Sequence, residues 1–205
     1  MTRVTKGRDA DHVSIQPRTC YRVSLMSCWG PPEWMGIVPT EKDNHLFRGD
    51  IVSIYVAASA GAPMESLEHV QAIAGRGLEG DRYFRGTGYW SKNIAVSREI
   101  TLIEIESIEA LAREKYIEIG PGAARRNIVT RGVPLNHLVG CELQDGSVRL
   151  RGTRLCEPCQ YLESLTTKGL FAGLVHRGGL RAVILYSGTV RVGDQITPGA
   201  EPAQP

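Results

Sequence analysis

No stretch of the 205-residue chain approaches the run of about 20 apolar residues that a membrane-spanning helix needs, so no membrane partner is expected. The N-terminus carries basic residues but lacks the apolar segment of a secretory signal. Charge of one sign is also scarce. A formal net charge of +2 gives no case for nucleic acid or an anionic membrane surface as the main partner. Cysteine is sparse and odd in number, five in all, which argues against a disulfide framework and for a reducing cytoplasm. Lysine is the scarcest surprise, 5 residues against 19 arginines. Guanidinium suits planar recognition of phosphate or carboxylate, although codon bias produces the same excess. The imbalance is a weak pointer to an anionic ligand.

What is present suits a soluble globular protein: 42% hydrophobic and 22% charged residues, with enough length for one domain and an extension. Residues 1–48 lack sustained periodicity and are interrupted by Pro31, Pro32 and Pro39, with Trp29 and Trp34 as the only large aromatic anchors nearby. They are expected to be a poorly ordered N-terminal extension, or an over-long start with the initiator at Met26 or Met35. Cys20 and Cys28 accordingly carry little functional weight. A domain is expected over 49–198, followed by a tail, 199–205.

Within that domain, Ile51–Val56 is rich in β-branched residues and reads as a buried strand. Val70–Ala74, Asn93–Val96, Glu99–Ile103, Cys141–Leu143, Val148–Leu155, Leu180–Tyr186, Thr189–Val192 and Gln195–Thr197 read as further short strands. Asp145-Gly146 and Ser187-Gly188 are hairpin turn signals. Apolar residues recur at helical spacing over Glu104–Lys115, and Tyr161–Val175 reads as a helix broken near Gly169 and Gly173. No internal repeat is present. Many short strands, frequent glycine turns and two or three peripheral helices predict a mainly β fold, a closed or nearly closed β-barrel.

Three motifs bear on chemistry. Gly75-x-Gly77-x-x-Gly80 matches the dinucleotide fingerprint, but loop rather than helix follows it, so the glycines are read as turning the backbone to place Asp81 and Arg82. Arg125-Arg126-Asn127 leads a short strand. It is either a solvated strand end or an anion-and-heterocycle site, since arginine forks phosphate and asparagine pairs with ring nitrogens and carbonyls. The third is Cys156-Glu-Pro-Cys159. Pro158 suits the first turn of a helix, which would put Cys159 where backbone N–H groups favour a thiolate. A thiolate attacks electrophiles, carries sulfur or binds a soft metal; the plainer alternative is two small apolar fillers.

Taken in order, Ile51–Val56, Gly80-Asp81-Arg82-Tyr83, Thr101–Leu111, Arg125-x-Asn127, Cys156-x-x-Cys159 and Arg177-Gly178-Gly179…Gly188…Val192-Gly193-Asp194 resemble the MOSC domain. This module ends molybdenum cofactor sulfurases and also exists as stand-alone bacterial proteins. The resemblance runs from Gly49 to Pro198.

It implies a β-barrel holding the molybdenum cofactor, a pterin dithiolene bearing a phosphate, with Cys159 as the metal ligand. Arg125 and Asn127 fit the family's R-x-N cofactor contact, with Arg126 as a substitute; Ser97, Arg98, Arg82 and Arg177 are further cofactor candidates. The family's reductases have a basic residue immediately before the metal-binding cysteine, where this chain has Pro158. The implied activity removes oxygen from N-hydroxylated bases or amines, with Asp81 as either a candidate proton carrier or a structural ion pair with Arg82. No iron–sulfur pattern follows the domain, so a separate electron-donor protein is expected. Two other readings stay open: a sulfur carrier with a persulfide on Cys159, and a non-catalytic zinc or redox module on Cys156 and Cys159. Family descriptions also mention pyridoxal phosphate, though no lysine stands out as a Schiff-base former.

Overall fold

The computed structural model describes residues 47–92 and 98–199. Its first strand, β1 (Gly49–Val56), is followed by β2 (Glu65–Leu67), β3 (His69–Ile73), β4 (Gly77–Leu78) and β5 (Ile100–Glu104). Helix α1 (Ile105–Lys115) leads through a 3-10 turn at Pro121–Ala124 into β6 (Ile128–Arg131). After β7 (Glu142–Asp145) and β8 (Val148–Leu155) come two short helices, α2 (Gln160–Ser164) and α3 (Leu170–Leu174). The described chain finishes with β9 (Leu180–Tyr186), β10 (Gly188–Arg191) and β11 (Gln195–Pro198). The Asn93–Val96 strand expectation lies outside the described residues.

Seven strands form a ring in the order β11-β7-β8-β9-β5-β6-β1, and β1 pairs with β11 to close it. All neighbours in this ring are antiparallel except β5 and β6, which are parallel and joined through α1. The barrel is closed, which leaves no unpaired edge in the ring.

Period-2 alternation explains which face each residue takes. On β5 and β6, Leu102 and Ile128 point into the barrel, whereas Ile103 and Val129 join an outer cluster with Ile108 and Leu111 of α1, Leu162 of α2 and Leu170 and Leu174 of α3. These strands are therefore apolar on both faces. Strands β8 and β9 alternate instead, because their outer face meets solvent. Among the described residues the helices cover the β5–β6 side, and the candidate site forms at their margin.

Two expectations change. Ser187-Gly188 does not fold β10 back onto β9. Strand β10 crosses to β3, pairing Thr189 with Gln71 and Val190 with Val70 in a separate three-stranded sheet with β4. A local turn signal reports that the chain reverses, not which strand receives it. Gly173 does not break a helix either: it lies within α3, and the interruption falls between Ser164 and Leu170.

Candidate functional site

Beneath the site lies a buried polar network centred on Asp81. One carboxylate oxygen accepts from the Ala57 backbone N–H (3.2 Å), Arg82 Nη1 (3.1 Å) and Asn127 Nδ2 (3.1 Å). The other accepts from the Tyr83 N–H at 3.0 Å. Asn127 also donates to the Tyr55 carbonyl, while its Oδ1 accepts from the backbone N–H and hydroxyl of Thr101. Arg82 spends Nη2 on the Arg125 carbonyl. Each element here supplies a group whose burial would otherwise be costly.

That accounting gives several of the expected site residues partners within the fold. Asp81 is 1% exposed and surrounded by donors, and it forms the expected ion pair with Arg82 while holding Asn127 in place. Asn127 is consumed by the same network. Arg126 is buried and gives three N–H groups to the carbonyls of Gly178 (2.8 Å), Ala124 (3.1 Å) and Cys156 (2.7 Å), which makes it a clamp on the cysteine loop. Arg177 turns the other way, donating to Gly173 and pairing with Glu114 of α1 at 2.9 Å. Ser97 lies outside the described residues.

The cysteine loop is pressed from behind by Gly178 and Gly179. A side chain at Gly178 would lie 2.5 Å from the Cys156 carbonyl, and Gly179 has φ +101 with a Cβ position 1.9 Å from the Leu102 carbonyl. Only glycine permits this approach. Cys156 is buried, whereas Cys159 is partly exposed; both are free thiols. Cys159 is the N-cap of α2 (φ −143, ψ 163), not a first-turn residue, and Pro158 precedes the helix. With five residues, α2 contributes little dipole, so the thiolate argument from the helix field does not carry the site.

Both cysteines line a cleft of about 70 Å³. Arg82, Arg125, Arg126 and Arg181 contribute guanidinium groups to its wall, and Tyr83, Tyr89, Trp90 and Tyr161 contribute rings. Tyr89 stacks on Tyr161 (centroids 4.0 Å apart, 19° between planes) and meets Trp90 edge-on at 4.8 Å. Arg125 donates Nη1 to the Ala62 carbonyl at 2.9 Å; desolvation, then the charge of Arg82, lowers its pKa. Arg98 is lowered by desolvation and then by Arg181, with Arg154 adding to the effect. The cleft is crowded with positive charge.

A family model for the MOSC domain matches residues 90–197, more than half of the chain. The chain belongs to the MOSC domain family. No curated protein matches it. Among solved structures, the YuaD protein of Bacillus subtilis is similar with a TM-score of 0.62 at 18% identity, covering 76% of this chain and 97% of that one. YiiM from Geobacillus stearothermophilus gives 0.58 at 14% identity, over 76% and 77% of the two chains. YiiM from Escherichia coli gives 0.52 at 14%, over 77% and 71%. At these identities the likeness is one of fold.

Within this MOSC barrel, Arg82, Arg125, Arg126 and Cys159 meet at the cleft, while Arg98 stands close enough to Arg181 to feel its charge. The sequence reading missed Tyr89, Trp90, Tyr161, Glu157 and Arg181. Tyr89-Trp90 had a legible signal, two large aromatics beside Gly86 and Gly88 in a loop. Arg181 had none, because its place depends on the strand opposite.

Proposed function

We propose that this MOSC protein binds the molybdenum cofactor in the cleft, with Cys159 as the metal ligand, and reduces N-hydroxylated bases or amines. The observation that carries the reading is a partly exposed free thiol on a wall shared with Arg125 and an aromatic surface. The residues fit such a group: a soft thiolate suits molybdenum, guanidinium suits a phosphate, and rings suit a pterin. When bound, the cofactor supplies the redox change, taking electrons from a separate donor protein.

The reaction consumes two electrons and two protons per N–O bond, giving an amine and water. The protein must deliver the protons. Asp81 is unsuited, but Glu157 is the one carboxylate among the described residues on the cleft wall. Its Oε1 lies 3.4 Å from Nδ1 of the exposed His176, which connects it to solvent. Glu157→Gln is expected to slow turnover at least about a hundredfold while leaving cofactor occupancy unchanged; equal turnover would remove Glu157 from the proton path.

Metal and pterin analysis of the purified full chain tests the whole reading. Molybdenum with a pterin, lost together in Cys159→Ser, supports it. A persulfide on Cys159 without molybdenum would make the protein a sulfur carrier. Zinc shared by both cysteines would make it a structural module, although among the described residues no group of three or more His, Cys, Asp or Glu converges for a metal ion. Pyridoxal phosphate gains no support, since no described lysine lines the cleft.

A further inference from the structure

The arginines in and beside the cleft fall into two groups. Arg125 lies in the electrostatic field of Arg82 and Tyr161. Arg98 lies in that of Arg181, Arg154 and Cys156. One anion, such as a cofactor phosphate, needs only one of these groups.

The second group has an unusual construction. Arg154 on β8 and Arg181 on β9 are direct cross-strand partners, brought opposite each other by a register shift between Gly152 and Arg154. Like charges placed directly opposite destabilise a sheet. Among the described residues no carboxylate pairs with either one, whereas Arg151, also on β8, is neutralised by Glu142 of β7. Among the described residues nothing balances these two cross-strand arginines, of which Arg181 lines the cleft. A bound dianion does, because two forked donors match its oxygens.

The rings supply the other half of a ligand. Tyr89 and Trp90 are 54% and 42% exposed, a large apolar area left in water at the mouth of the same cleft. Stacked and edge-on rings accept a planar heterocycle with little dependence on its hydrogen-bonding pattern.

We propose that Arg154 and Arg181 form the subsite for the phosphate of a nucleotide substrate, whose base lies against the Tyr89–Trp90–Tyr161 wall. The subsite itself stands apart from the reductase reading; only the statement that the base carries an N-hydroxyl group rests on it. The MOSC protein thus takes nucleotides in preference to free bases or nucleosides.

Calorimetric titration of the full chain with AMP and with adenosine tests the subsite without requiring turnover. AMP is expected to bind at least about tenfold tighter, the scale of one charge-assisted contact. In the Arg154→Ala/Arg181→Ala double variant the two ligands should become equal. Equal affinities in the unaltered protein would overturn the proposal. The double variant should also unfold at or above the wild-type temperature, since a repulsion has been removed; a lower melt would mean the pair is structural and would overturn it as well. Pterin content separates the two phosphate sources. Unchanged pterin per chain in the double variant keeps the subsite for substrate, whereas a loss matching that of Arg125→Ala would assign it to the cofactor. With the cofactor-loaded protein, kcat/KM for N6-hydroxyadenosine monophosphate should exceed that for the free N-hydroxylated base by tenfold or more. Turnover of both at equal efficiency sinks the subsite and leaves the reductase reading intact. Tight AMP binding with no turnover of either does the reverse.

Discussion

Two buried aspartates show how differently this barrel treats the same side chain. Under the cleft, Asp81 receives donors from β1's following residue Ala57, from Arg82 and Tyr83, and from Asn127. At the seam where β11 pairs with β7, Asp145 is just as buried, yet neither carboxylate oxygen has a donor among the described residues. Desolvation and the neighbouring Asp194 push its pKa up to about 7. The first carboxylate organises its surroundings; the second is tolerated by them. The arginines divide similarly. Arg126 is spent on backbone carbonyls and holds the cleft together, whereas Arg125 and Arg181 face into it.

The largest expected effect concerns the partly exposed thiol of Cys159. Cys159→Ser should abolish reduction, by about a thousandfold or ~4 kcal/mol of barrier, with no loss of stability. Cys156→Ser should keep most activity, because its sulfur is buried away from the cleft's open side. Equal losses in an N-hydroxy reductase assay would point to a dithiol site and dissolve the distinction between the two cysteines.

Next in size is the network itself. Asp81→Ala takes from the buried Arg82 guanidinium and Asn127 amide the one carboxylate they share, a change worth about 3–5 kcal/mol. Urea unfolding measures it. A loss below ~1 kcal/mol would show that water replaces the carboxylate, and Asp81 would then join Asp145 as a tolerated group.

Arg125→Ala should instead spare stability and lower cofactor occupancy about ten- to a hundredfold, or ~1.5–3 kcal/mol. Arg126→Ala should do the opposite, unfolding more easily because three carbonyls lose their donor. Pterin content and unfolding midpoint, read on both variants, either separate the two adjacent arginines or merge them.

The smallest effect is at the seam. The unfolded chain releases the Asp145 proton near pH 3.8, whereas the folded one holds it to about 7. Between those values the native state binds the extra proton, so this group's contribution to stability falls as pH rises from about 4 to about 7 and is level above. About three pKa units amount to ~4 kcal/mol unscreened and about half that after solvent screening. Asp145→Asn should flatten that slope and stabilise the protein at pH 8. An unchanged pH profile would mean that Asp145 is solvated and the seam is not strained.

Much of the barrel was legible because β-branched runs and glycine turns are local signals, and α1 announced itself by helical spacing from Ile105 to Leu111. The cysteine pair, Arg125 and the departure at Pro158 were legible as motif. Their division of labour was not. Whether Arg126 grips a ligand or the Cys156 carbonyl depends on what folds against it, and in the fold it meets the carbonyl.

By itself, the sequence determined a mainly β domain of the MOSC family and the segment that bears its thiols, since residue type and spacing act over a few positions. Tertiary structure alone decided that β10 leaves β9 for β3, that Asp81 is enclosed by donors, and that Arg154 faces Arg181. Each of these depends on register between strands distant along the chain, where a shift of one residue turns every side chain to the other face.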